Sequence, residues 1–168
     1  RRSAGVLIPI FSLRSSRNHG IGDIADMYKL IDWAKEQGLS LLQLLPLNPT
    51  GFGNSCPYSA ISAFGINELY IALDKVSDVQ DSSEAQAILR AVEADGTLAR
   101  LRLAERVDYA QAWELKFKVL RAAYGIFRKK ELDKETNRAK EFLRFIQEEE
   151  NWLEDYALFC VLKEQYRW

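Results

Sequence analysis

The sequence predicts an α/β protein: a strand–helix–strand unit first, then a mainly helical region. Three observations carry this reading. All four prolines and seven of the nine glycines lie in the first 65 residues, so chain-shaping loops belong to that part. Residues 1–75 hold 13 charged side chains and residues 76–168 hold 34, as buried strands and surface helices respectively would require. Two short aliphatic runs also bracket a stretch with apolar residues at helical spacing.

The elements follow in order. Ala4 to Ile8 is an apolar run closed by Pro9, which suits a buried strand. After the loop from Arg14 to Gly20, Asp23 stands where a helix N-cap belongs, with Asp26 favouring the first turn. Ile24, Met27, Tyr28, Ile31 and Ala34 form one helical face, widened by Leu30 and Trp33, and Gly38 supplies the stop. Leu41 to Leu45 is apolar on both faces of any strand, as in the interior of a parallel sheet. The result is a βαβ unit with a right-handed crossover. Residues 83–94 read as a helix ending before Gly96. Trp113, Phe117, Leu120, Tyr124 and Phe127 mark a longer helix by one aromatic face. Phe142, Phe145 and Ile146 mark another, and Trp152, Leu153, Tyr156, Ala157, Phe159 and Val161 a third.

Composition bounds the function. With 168 residues the chain makes about one domain with a core, and its 48% hydrophobic content is that of a globular protein. A net charge of −1 speaks against a general nucleic-acid binder. No apolar run reaches the roughly 18 residues of a membrane span. Cys56 and Cys160 are too few for a disulfide scaffold, which points to a reducing compartment. The chain starts without Met and ends straight after a helical pattern, so it reads as a piece of something longer.

The stretch richest in chemistry is Pro46 to Ser59, at the carboxyl end of the second strand, where α/β proteins bind ligands. Three prolines restrict it while Gly51 and Gly53 allow tight turns, so Phe52, Asn54, Ser55 and Tyr58 should be presented in fixed positions. Aromatic faces beside short hydrogen-bonding side chains suit a sugar: the rings cover its C–H face and the polar groups take its hydroxyls. The same composition also suits a loop that merely closes the sheet end.

Other candidates are poorer. Gly20-Ile21-Gly22-Asp23 lacks the third glycine and the Gly-Lys-Ser/Thr of a phosphate loop. His19 is the single histidine, which excludes a multi-histidine metal site and leaves either a ligand contact or an ordinary loop residue. Cys56 has no histidine or CxxC partner for nucleophilic work. Glu148-Glu149-Glu150 reads as a solvated helix end, and Glu154 and Asp155 point about 100° apart on their helix.

Taken together, Gly5-Val6-Leu7-Ile8-Pro9, Gly20-Ile21-Gly22-Asp23, Gln43-Leu44-Leu45-Pro46-Leu47, Pro49-Thr50-Gly51 and Ser55 to Tyr58 are recognisable. So are Ser62-Ala63-Phe64, Asn67, Arg106-Val107-Asp108-Tyr109 and Trp152 to Phe159. In this order the series resembles the opening of the 4-α-glucanotransferases of glycoside hydrolase family 77, also called amylomaltases or disproportionating enzymes. The resemblance implies a (β/α)8 TIM barrel, with residues 1–75 its start and 76–168 an inserted helical subdomain and connecting helices. It implies no metal or organic cofactor, maltooligosaccharide or starch-like α-1,4-glucan substrates, no nucleic-acid or membrane partner, and a cytoplasmic location, or a plastid in a plant or alga. It further implies a retaining double displacement whose three carboxylates come from later strands, so no catalytic residue lies in this chain and Asp23, Asp26, Asp32 and Glu68 are not substitutes. By the same resemblance Tyr58 stacks under the sugar next to the cleaved bond, and Ser55 and Gly53 line glucan subsites. Phe52 stands where some members have a tyrosine linked to a second glucan groove; it can stack but not donate a hydroxyl. Asn54 replaces a frequent Asp, and Cys56 is an extra residue before Pro57-Tyr58. The alternatives from the residues alone are a non-catalytic glucan-binding or helical interaction module, and a nucleotide-binding α/β domain.

Overall fold

The computed structural model describes residues 2–52 and 54–166. Strand β1 (Gly5–Ile8) pairs in parallel with β2 (Leu41–Leu44), Gly5 opposite Leu41 and Ile8 opposite Leu44, and helix α1 (Asp26–Glu36) connects them. The βαβ unit is therefore present. Helix α1 begins three residues later than Asp23, with Ala25 at the cap position, yet the Asp23 carboxylate still accepts from the Ala25 and Asp26 amides. Asp26 Oδ2 in turn accepts from the Asp23 amide, so the pair acts as a capping box at the start of the helix. Gly38, at φ +69°, ends it.

After β2 the chain runs through loops and two single 3-10 turns (Glu68–Tyr70 and Leu73–Lys75) into helices α2 (Ser77–Asp81), α3 (Ser83–Ala94), α4 (Thr97–Leu103) and α5 (Tyr109–Lys130). Helices α6 (Asn137–Glu148) and α7 (Glu150–Tyr166) follow. The chain divides into two compact units, Arg1–Tyr124 and Gly125–Trp168. In the first, one apolar cluster joins Leu73, Val79, Ala85, Leu101, Leu115 and Val119 among the helices. A second gathers Ile10, Ile21, Leu69, Tyr70 and Ala112, with Phe11, Leu47, Tyr109 and Trp113 packed on it, beneath the loop that follows β2.

The strands and the α1 face are only partly covered. The strands are not buried: Leu7 and Leu41 are 53% and 57% exposed, because a strand apolar on both faces needs covering layers and neighbours, and among the described residues this sheet has two strands. The α1 face is likewise mostly open, with Tyr28, Ile31 and Trp33 exposed and only Leu30 and Ala34 of that stripe buried. On α5 the buried face is Ala112, Leu115, Lys116, Val119, Ala122 and Ala123, not the aromatic stripe. Small residues let the helix approach its neighbours closely, and the aromatics lie along the border of that contact. In the second unit, Glu148 and Glu150 are exposed at the end of α6 and the start of α7, as a solvated helix end requires, and Glu149 between them accepts from the Trp152 indole.

Candidate functional site

The loop after β2 is locked by its own hydrogen bonds. Thr50 and Ala60 form an antiparallel bridge, and the Ile61 amide donates to the Pro49 carbonyl (2.8 Å), which closes the stem over a buried Pro49. Inside, the Asn54 amide donates to Gly51 and the Thr50 hydroxyl to the Asn54 carbonyl (both 2.9 Å). Asn54 Oδ1 accepts from the Cys56 amide at 2.9 Å, an Asx turn. Asn48 ties the stem to the carbonyls of Ala63 and Gly65. Stiffness thus comes from Thr50, Asn54 and Asn48; the positive-φ glycines are Gly20, Gly38 and Gly96 among the described residues.

This frame turns Phe52, Asn54, Ser55 and Tyr58 outward, Tyr58 being 72% exposed, whereas Gly53 lies outside the described residues. The structure sorts the four. Ser55 borders a groove of about 910 Å³ shared with Phe11, Ser12, Arg14, Arg106 and Tyr109. Phe52 and Asn54 instead flank a tight cleft against Trp113 and Glu68. Tyr58 stands outside both linings, facing solvent.

Trp113 and the segment before α5 were not visible as site residues in the sequence. The Trp113 ring meets Phe52 edge-on (centroids 5.1 Å, planes at 82°) and stacks on Phe117 (4.4 Å, 14°), while its indole N–H donates to Glu68 at 3.1 Å. Phe11 and Tyr109 make a second edge contact at 5.9 Å along the groove. Burial, with Tyr70 nearby, pushes the Tyr109 hydroxyl up to about 12, so it stays a neutral hydrogen-bonding group at ordinary pH. Asp108 is occupied as a helix cap, accepting from Gln111 through both oxygens.

The glycine motif serves packing. A Cβ on Gly22 would lie 2.1 Å from the Ile10 carbonyl oxygen. The amides of Gly20, Gly22, Asp23, Ile24, Ala25 and Asp26 all donate within the chain, which leaves no amide cradle for a phosphate. Arg17 binds Asp23, Asp26 (3.0 Å) and Asp74 (2.5 Å). Burial raises the Asp26 carboxyl, but bonds from the Ser15 hydroxyl, the Asp23 amide, Arg17 and Asn18 outweigh it and hold Asp26 below the usual range. His19 is buried, and burial plus the Lys116 and Arg102 charges lowers it to about 4, so it is a neutral interior residue. Exposed Cys56 has its thiol lowered by the Ser59 hydroxyl and the Tyr58 amide. Among the described residues no three His, Cys, Asp or Glu side chains are grouped to hold a metal, and no helix is long and apolar enough to cross a membrane.

The family model described as 4-alpha-glucanotransferase matches residues 8–168. The 4-alpha-glucanotransferase DPE2 of Oryza sativa subsp. japonica is 36% identical over 97% of this chain, and the 4-alpha-glucanotransferase of Synechocystis is 37% identical over 99% of it. The chain spans only 16% and 30% of those two relatives. Among solved structures, the amylomaltase from Streptococcus agalactiae in complex with acarbose superposes over 98% of this chain with a TM-score of 0.70 and 30% identity, again over 30% of its own length. The likeness gives the α/β fold.

Proposed function

The chain belongs to the 4-alpha-glucanotransferase family, and from that membership we propose that it forms the opening of a (β/α)8 barrel in a protein that transfers α-1,4-glucan segments between maltooligosaccharides. Residues 1–75 supply the first two barrel strands and the sugar-contacting loop, and 76–168 the helical insertion with its connecting helices. The observation that carries this reading is the backbone-locked loop at the carboxyl end of β2, which faces Phe52, Asn54, Ser55 and Tyr58 outward. Tyr58 offers an exposed ring for the face of a pyranose, and Ser55 a hydroxyl at the rim of the groove of about 910 Å³. The reading needs no organic cofactor, and it carries a cytoplasmic protein, or a plastid one in a plant or alga.

In the proposed reaction an Asp attacks the anomeric carbon as the glycosidic bond breaks, and a Glu protonates the departing oxygen. The 4-hydroxyl of a second glucan then attacks the glycosyl-enzyme while the same Glu takes up its proton, which yields transfer in place of hydrolysis. We assign these carboxylates to the remainder of the protein. Asp23 and Asp26 are committed to Arg17 and to the start of α1, and Glu68 to Trp113, so none of the three is free for this chemistry.

The test is a Tyr58→Ala variant of the full-length protein. Loss of a stacked and oriented sugar should reduce kcat/KM for maltotriose by roughly tenfold to a hundredfold. Unchanged transfer would remove Tyr58 from the site, and with it the role given to this loop.

A further inference from the structure

Lys116 is the largest fully buried side chain among the described residues, at 1% exposure. Burying an ammonium costs several kcal/mol unless hydrogen bonds and charges offset it, and burial lowers this one to about 8. Its nitrogen has specific targets: it donates to the carbonyls of Leu69 (2.6 Å) and Ile71 (2.8 Å). The nearby carboxylates Asp23, Asp26 and Asp74 are all bound by Arg17, and His19 beside them is neutral. The charges of these acids favour the Lys116 ammonium, but its hydrogen bonds go to a piece of backbone.

That piece of backbone supports the sugar-contacting loop from behind. The Asn67 amide donates to the Leu47 carbonyl at 2.8 Å, at the loop's stem, and Asn67 Oδ1 accepts from Leu69 at 2.9 Å. Glu68 receives the Trp113 indole N–H, and Trp113 stands edge-on to Phe52. Trp113 and Lys116 are three residues apart on α5, hence on one face of the helix. Residues 67–71 are thus gripped by α5 at two points and by the loop stem at a third.

We propose that Lys116 is a positioning residue for the glucan site: by fixing the Leu69 and Ile71 carbonyls it sets residues 67–71 on α5, and through Leu47 and Trp113 it sets the 46–59 loop. The inference rests on the glucan-transfer reading for its functional consequence, but its structural consequence stands apart from any activity.

The experiment uses the full-length protein with Lys116→Met, which keeps the length of the side chain and removes the donors. Amide hydrogen exchange in residues 46–60 should quicken at least about tenfold while exchange in α3 keeps its rate. The maltotriose KM should rise about tenfold or more with kcat little changed, since the carboxylates are untouched. Lys116→Arg, which restores donors, should recover part of both effects. Should Lys116→Met fail to fold, Glu68→Ala loosens the same segment from a half-buried position and should quicken exchange in the same loop. In the double variant the two effects on KM should fall short of their product, because both act through residues 67–71. A uniform rise in exchange across the chain, or fully multiplicative effects, would overturn the proposal. If the parent protein transfers no glucan, the functional reading falls, and the exchange data still decide whether Lys116 sets the loop.

Discussion

Acid should unfold this chain through His19 before its carboxylates are exhausted. The imidazole is buried within reach of the Lys116, Arg102 and Arg17 charges, which Asp74 opposes, and its Nδ1 has no hydrogen-bond partner among the described residues. Its proton affinity falls from an ordinary 6.5 to about 4 in the folded state. At about 1.4 kcal/mol per unit, that gap is worth about 3 kcal/mol. The sign follows from the depressed folded value. Folding favours the neutral ring, so stability is complete above 6.5 and is lost as pH falls from 6.5 toward 4. Because the chain has a single histidine, one imidazole resonance reports the folded value directly. Urea titrations at several pH values between about 7 and 4.5 then give the stability change, with His19→Gln as the reference. Asp26 also loses stability as it protonates, but it does so in both proteins and cancels in the difference. The wild-type chain should lose about 2–3 kcal/mol more than the variant over this range. An imidazole titrating near 6.5, or parallel pH curves for the two proteins, would refute the argument.

Three further outcomes are expected. Gly22→Ala puts a methyl group onto the Ile10 carbonyl and should cost roughly 3 kcal/mol or more by urea denaturation; a loss under about 1 kcal/mol would mean the backbone yields there. Arg17→Met strands the Asp23 and Asp26 carboxylates in the interior and should cost about 3 kcal/mol, less if water reaches them, which the same titration reads. Cys56 is exposed with its thiol lowered by Ser59, so iodoacetamide should label it faster than Cys160 at neutral pH, and Ser59→Ala should slow it; equal rates by mass spectrometry would contradict this.

The parts of the fold legible in the sequence are those written in local patterns. The aliphatic runs at 4–8 and 41–45, the capping acids Asp23 and Asp26, and the stop at Gly38 define the βαβ unit, and helix α3 occupies the expected residues 83–94. Helices α2 and α4, at 5 and 7 residues, are too short to show a full apolar period, and the 3-10 turns carry no period at all. The aromatic stripe located α5, but not the face it buries most deeply, because large aromatics outweigh alanines in any apolar count while alanines are what a close helix contact buries. The loop proposed to contact glucan was legible through its place after β2 and its outward residues. Trp113 and Lys116 were not, since each acts on residues more than 40 positions away and only the folded chain brings them together. A lysine on a helix reads as solvated until its carbonyl partners are seen.

The central claim is glucan transfer, and the product pattern of the full-length protein on maltotriose tests it most directly. Transfer predicts glucose and longer maltooligosaccharides appearing together from the earliest times, because each segment leaving a donor must end on an acceptor. Glucose and maltose without longer oligomers would identify a hydrolase, and no turnover at all would leave a glucan-binding module in place of an enzyme.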